Sequence, residues 1–192
     1  MSIVFGRKIP IIQTQIQNNK TGCFEPATVF ELDCHDEQDL LETLKPSTKW
    51  IYAKQINQNM LKKYTQIKQG NGKNTDTFYI LQNKYGETLG MAQTQKMKKN
   101  AFNLALIDTK KDKDYKFVGQ TLLASISKDI INKSGIRLSI FEPIQSAVPF
   151  YDSVCGFQNF GDMFLSADIR QMNTFIKKTE HQTSAPLINL KG

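Results

Sequence analysis

The stretch from Tyr115 to Phe157, YKFVGQTLLASISKDIINKSGIRLSIFEPIQSAVPFYDSVCGF, constrains the fold more than any other part of the chain. Its apolar period changes twice. Leu122, Leu123, Ile126, Ile130 and Ile131 fall on one face of a helix. Ser134-Gly135 stops that helix, because glycine accepts the left-handed conformation of a helix end. Ile136, Leu138 and Ile140 then alternate with Arg137, Ser139 and Phe141, the period of a strand. Pro143 cannot donate to a sheet ladder and ends the strand. Ser146 is placed to cap a second helix with Pro149 in its first turn. Ala147, Phe150, Tyr151 and Val154 form its buried stripe, and Gly156 closes it. The order is loop, helix, strand, helix, Gly-Phe.

Around this unit the chain reads in sequence as follows. Residues 8–17 and 27–33 are strands joined by the turn cluster Asn18–Gly22, an N-terminal hairpin. Residues 36–44 form a short helix with Leu40, Leu41 and Leu44 on one face, ended by Pro46. Residues 48–53, with the only Trp, read as a short strand or a linker. Residues 54–68 are a helix on Ile56, Met60, Tyr64 and Ile67, and residues 69–76 a flexible loop. Three strands follow, at 77–82, 88–96 and 101–108, with Gly90 a bulge or a point of close approach. A last strand covers 162–167. Asp168 and Gln171 have capping-box spacing and open a terminal helix on Ile169, Met172, Phe175 and Ile176. Residues 179–192 are polar, a mobile tail or a docked arm.

With 192 residues, the chain suits one domain or one domain with an extension, and 40% hydrophobic content with 12 Phe is enough for a core. No apolar run approaches a membrane span, and MSIVFGRKIP lacks the apolar centre of a signal peptide. No membrane association is expected, and the expected location is cytoplasmic. Cys23, Cys34 and Cys155 are odd in number and lack paired spacing, while His35 and His181 stand near no ligand cluster. Neither a disulfide scaffold nor a metal site is expected. The net charge of +7 fits a solvated lysine-rich surface or attraction to an anion. Basic residues interleaved with stacking aromatics are missing, so nucleic acid is not the expected partner.

The loop–helix–strand–helix unit, preceded by three strands, resembles the acetyl-CoA-binding half of a GNAT acyltransferase. Lys116-Phe117-Val118-Gly119-Gln120-Thr121-Leu122-Leu123 is similar to that superfamily's phosphate loop. Ala147-x-x-Phe150-Tyr151-x-x-x-x-Gly156-Phe157 is similar to a second signature and is the more specific of the two. In the first piece Gly119 matches the second loop Gly; Phe117 stands at the first Gly position and Asp114 at the Arg/Gln position. The resemblance covers about residues 76–168. It implies an α/β fold with a mixed, mostly antiparallel central sheet flanked by helices, to which the N-terminal hairpin is added. The corresponding division is one domain over 1–192, with the hairpin at 1–35, the acyltransferase core at 36–168, and the terminal helix and tail at 169–192. The hairpin is then an added edge, or a packing element of a homodimer.

The resemblance also implies a function, N-acetyl transfer from acetyl-CoA to an amine on a small molecule or a protein, without a metal. A helix start carries unpaired N–H groups and partial positive charge, which suit a pyrophosphate. Lys116, Phe117, Val118, Gly119, Gln120 and Thr121 form such a start, and Lys110, Lys111, Lys113 and Lys116 could pair with phosphates. By position, the backbone of Leu106, Ile107 and Asp108 would bind the pantetheine arm. Trp50 and Tyr52 either shape the acceptor cleft or belong to the core. Tyr151 matches the tyrosine that serves the departing thiolate, and a phenol's ordinary pKa is near that of a thiol. Glu142 is the nearest candidate base, ahead of Asp108 and Glu87, with a water chain as the other route. Cys155 has no histidine to activate it and reads as a small helix-end hydrophobe. The alternative function is a GNAT-fold interaction module with weakened or lost catalysis, suggested by Phe117 and Asp114.

Overall fold

A computed structural model describes residues 8–47, 50–71, 75–110, 114–161 and 163–191. One twisted sheet organises them. The strands are β1 (Ile9–Asn18), β2 (Phe24–Leu32), β3 (Asp76–Asn83), β4 (Thr88–Lys96), β5 (Ala101–Thr109), β6 (Tyr115–Lys116), β7 (Arg137–Phe141), β8 (Gln158–Asn159), β9 (Phe164–Asp168) and β10 (Ile188–Asn189). Their order is β10-β1-β2-β3-β4-β5-β7-β9-β8, with β6 on the end of β1. Strands β5 and β7 run parallel; the other pairings are antiparallel. The parallel step needs a crossover, which helix α3 (Val118–Asn132) supplies.

The N-terminal hairpin is present as an added edge of the sheet: β2 pairs with β3 over six residues, and β1 lies beyond it, followed by β10. Helix α1 (Glu37–Ser47) and helix α2 (Ile51–Lys68) pack together on one face, over Phe78, Ile80 and Met91. Pro46 falls inside the last turn of α1 instead of beyond it, and its carbonyl accepts from Trp50 N at 3.1 Å. Leu41 and Leu44 are exposed, so the leucine face expected of α1 is buried mainly through Leu40. In the expected strand or linker at 48–53, Thr48 and Lys49 lie outside the described residues. Trp50 precedes α2, and Ile51–Ala53 form its first turn. The helix thus starts three residues earlier than its apolar spacing suggested.

The other face is covered by α3 and by α4 (Ile169–Gln182), which pack on each other over Leu122, Leu123, Ile126, Met172 and Phe175. The capping box forms as expected: Asp168 Oδ1 accepts from Gln171 N and Gln171 Oε1 from Asp168 N, both at 2.9 Å. The chain after α4 is a docked arm. Leu187 is buried, and β10 pairs with β1 at Ile12 and Gln13.

At the end of α3 the left-handed residue is Ser134 (φ 60°), not Gly135. Gly135 is needed for space. A Cβ there would sit 2.4 Å from Ile130 Cγ2, 2.8 Å from Ile130 O and 2.9 Å from Phe102 Cε2. Two of these neighbours are core side chains and the third is backbone, so none can step aside cheaply. Gly135→Ala is therefore expected to cost about 2–3 kcal/mol in a urea denaturation. Gly90 is a milder case: its Cβ would meet Leu122 Cδ2 at 3.0 Å, the close approach anticipated for it.

Candidate functional site

The site begins with a pairing that stops early. Strands β5 and β7 pair only at Ala101–Asn103 with Arg137–Ser139. Ala105 then bulges: Thr94 of β4 faces Leu104, while Gln93 faces Leu106. The extra residue kinks β5 and reverses the faces its side chains take, so Leu104 joins the α3 core and Leu106 the α2 core. Past the bulge the two strands part around a cavity of about 170 Å³. Its walls are Leu104–Ile107, Ile140–Ile144, Ala147, Tyr52 and Tyr151.

The helical segment that carries Tyr151 is shorter than expected. A 3₁₀ turn over Gln145–Ala147 leads into a wide turn at Phe150–Val154, in which Cys155 N reaches Phe150 O at 3.0 Å and Phe157 N reaches Tyr151 O at 2.9 Å. Ser146 lies inside the 3₁₀ turn and does not cap. The widened turn is the kind of helix irregularity that often accompanies function. Tyr151 is buried between Phe150 and Phe157, with ring centroids 5.3 and 6.1 Å away. Burial, helped by the neighbouring Cys155, pushes its phenol up to about 12. Burial likewise pushes the Cys155 thiol up to about 12 and leaves it an inert core residue.

Glu142 sits at the mouth of the cavity, exposed, with its backbone in the left-handed region (φ 49°) and its N–H on Met163 O at 2.9 Å. Its carboxylate has no ion pair among the described residues. The other two carboxylates considered as bases have partners. Asp108 is buried, and its Oδ2 accepts from Tyr52 N (2.9 Å) and Ala53 N (3.2 Å). It caps α2 from a different strand, because Trp50, at the helix's own cap position, offers no side-chain acceptor. Glu87 pairs with Lys110 at 2.7 Å and accepts from Asn83 at 3.1 Å.

The start of α3 lies by the end of β5 and the turn that carries Tyr151, with Gly119 near Thr109 and Phe150. Thr121 N bonds Phe117 O at 2.8 Å, so the N–H groups of Val118, Gly119 and Gln120 have no acceptor among the described residues. Phe117 occupies the left-handed region (φ 63°), where a side chain costs roughly 1–2 kcal/mol. Gly119 differs from Gly90 and Gly135. A Cβ there would meet nothing closer than Thr109 Cγ2 at 3.5 Å and Phe150 at 4.0 Å, and its φ is not positive. Nothing inside the protein demands a glycine at this position. Its bare backbone leaves room for an outside group to reach the free N–H donors.

The remaining predicted residues divide clearly. Lys116 is exposed in β6, which pairs with Gln17 and Asn18 of β1 and ties the loop to the sheet edge. Asp114 is held by Lys20 at 2.9 Å, and its carbonyl accepts from Asn19 N. The Gln120 side chain turns away, donating to Thr179 and Gln182 of α4, and the Thr121 side chain is fully buried. Lys111 and Lys113 lie outside the described residues. Tyr52 reaches the cavity, whereas Trp50 belongs to the core. Neither β6 nor the capping of α2 by Asp108 was legible beforehand, since neither leaves a local pattern.

This arrangement is the GNAT acyltransferase fold. It matches an acetyltransferase of the GNAT family from Staphylococcus aureus Mu50 at a TM-score of 0.54 and 13% identity, covering 74% of this chain and 99% of that one. It also matches the ribosomal-protein-S18-alanine N-acetyltransferase of Escherichia coli (0.51, 15% identity, 74% and 94% covered) and Tetrahymena GCN5 (0.51, 10% identity, 81% and 95% covered). No family model matches the sequence, and no curated protein does. Among the described residues no helix is long and apolar enough to cross a membrane.

Proposed function

We propose that the chain transfers an acetyl group from acetyl-CoA to an amine. Gly119 carries the reading, as a glycine that internal packing does not require, set among free N–H donors at a helix start. That is the chemistry a pyrophosphate needs. The edge of β5 not paired with β7, at Leu106, Ile107 and Asp108, would hold the pantetheine arm through its backbone, while the Asp108 side chain stays with α2. Acetyl-CoA supplies the activated thioester; the chain's residues orient it and manage charge.

Tyr151 would donate a hydrogen bond to the sulfur as the C–S bond breaks. Burial pushes the Tyr151 phenol up to about 12, so the hydroxyl keeps its proton at neutral pH and would be available as the donor. Glu142, at the mouth, would attract the ammonium form of the acceptor and take its proton.

The test is calorimetric titration with acetyl-CoA. Wild-type protein is expected to bind in the micromolar range, Gly119→Glu to lose binding by at least a hundredfold, and Tyr151→Phe to retain it. No binding at millimolar acetyl-CoA would remove the transferase reading. The left-handed Phe117 would then favour the second reading, an interaction module on the same fold.

A further inference from the structure

The cavity opens onto a row of aromatic rings that the reading above leaves unused. Phe141 and Phe164 are cross-strand partners of β7 and β9, with ring centroids 5.1 Å apart. Phe160 continues the row, 5.4 Å from Phe164. Leu138, Ile140, Leu165 and Ala167 point into the core beneath α3 and α4, so Phe141 and Phe164 lie on the opposite face. On that face α2 packs over β4 and β5, and the rings lie beyond it. Phe141 is 49% exposed, Phe160 55% and Ile144 48%. Phe141 and Ile144 also line the cavity, so the ladder and the cavity form one continuous surface.

We infer that this ladder selects the acceptor: a small primary amine carrying an aromatic group a short chain away from its nitrogen. This deepens the transferase reading and rests on it. Three observations favour that occupant. Glu142 carries the only charge among the cavity's lining residues, a local negative site in a protein of net charge +7. An ammonium is drawn to it while the attached ring stacks on Phe141 and Phe164. The exposed part of the ladder is roughly 300–500 Å², below the ~800 Å² per partner that a stable protein interface buries. A peptide acceptor finds little strand edge beside the rings: β9 is paired on both sides, with β7 and β8, the outer strand β8 has two residues, and the edge of β7 not paired with β5 past Ser139 faces the cavity. In the reaction the amine nitrogen bonds the acetyl carbon and the C–S bond breaks. The amine loses one proton and the thiol product gains one.

The experiment compares kcat/KM for phenethylamine, n-butylamine and the peptide Phe-Ala-Ala, using full-length protein and release of CoA thiol. The expected preference for phenethylamine over n-butylamine is at least tenfold. Phe160→Ala is expected to cut that ratio five- to tenfold, and Phe160→Tyr to keep it. Equal rates for the two amines, or a preference for the peptide, would overturn the inference. Phenethylamine binding is also read without turnover, from ring proton shifts on titration to 10 mM. Shifts present in wild type and lost in Phe160→Ala support the ladder even if no acetyl transfer occurs. Their absence in wild type counts against it. A dimer that dissociates in Phe160→Ala would assign the rings to a second copy of the chain and overturn the proposal.

Discussion

Tyr151→Phe is expected to lower kcat by roughly a hundred- to a thousandfold while leaving acetyl-CoA affinity and melting temperature close to wild type. The substitution keeps the ring, and so keeps the packing against Phe150 and Phe157. It removes only the hydroxyl, whose proposed partner, the developing thiolate, exists late in the reaction. An interaction made in the transition state alone affects kcat and not binding. A fall in kcat of less than fivefold would take Tyr151 out of the chemistry.

The same residue makes a prediction about pH. Tyr151 must be protonated to donate, and burial lifts its pKa from 10.0 to about 12. A raised pKa keeps the proton on to higher pH. The rate is therefore expected to show no loss attributable to Tyr151 up to pH 10, where an unshifted phenol would already be half ionised. A basic limb near pH 9–10 in wild type that disappears in Tyr151→Phe would contradict this.

Most of the sheet could be read from sequence because its long strands stand between recognisable turns. Strands β3, β4 and β5 are runs of eight or nine residues separated by turn residues, and α3 keeps one apolar face for fifteen. What could not be read is set by partners far away in sequence. Strands β6, β8 and β10 have two residues each and exist only because β1 and β9 offer an edge. The start of α2 was misplaced because its cap, Asp108, is 56 positions from Tyr52. Ser134-Gly135 announced a helix end, but which residue turns left-handed and which makes room depends on Phe102 of a neighbouring strand. The site follows the same rule. Gly119 and Tyr151 were visible as motif residues. The bulge at Ala105 was not, although it opens the cavity, and neither was the pairing of Phe141 with Phe164. Both are matters of register, which an isolated strand does not encode.

The largest stability effect is expected at Asp129, which plays no part in the site. Its Oδ2 accepts from Tyr79 Oη at 2.9 Å and from Lys133 Nζ at 2.6 Å. Lys133 also pairs with Glu31 at 2.9 Å, and Glu31 with Lys191 of the docked tail. Tyr79 is fully buried, and desolvation, reinforced by the Asp129 charge, holds its phenol well above the ordinary value. Burial alone would lower Lys133, but Asp129 and Glu31 outweigh it and the net shift is upward. Burial alone would raise Glu31, but Lys133 and Lys191 outweigh it and the net shift is downward. Asp129→Ala leaves the Tyr79 hydroxyl without this acceptor and Lys133 short of a counter-charge, at an expected cost of about 3–5 kcal/mol by urea denaturation. Asp129→Asn keeps an acceptor for Tyr79 and is expected to cost less. Glu31 has its folded pKa lowered, so its contribution is present above 4.5 and disappears as pH falls through the lower folded value. Lys133 has its folded pKa raised, so its contribution is present below 10.5 and disappears as pH rises through the higher one. The penalty for Asp129→Ala is thus expected to be flat between about pH 5 and pH 10, where both partners keep their charge. A penalty under 1 kcal/mol at pH 7 would mean that water replaces the carboxylate as the partner of Tyr79 and Lys133.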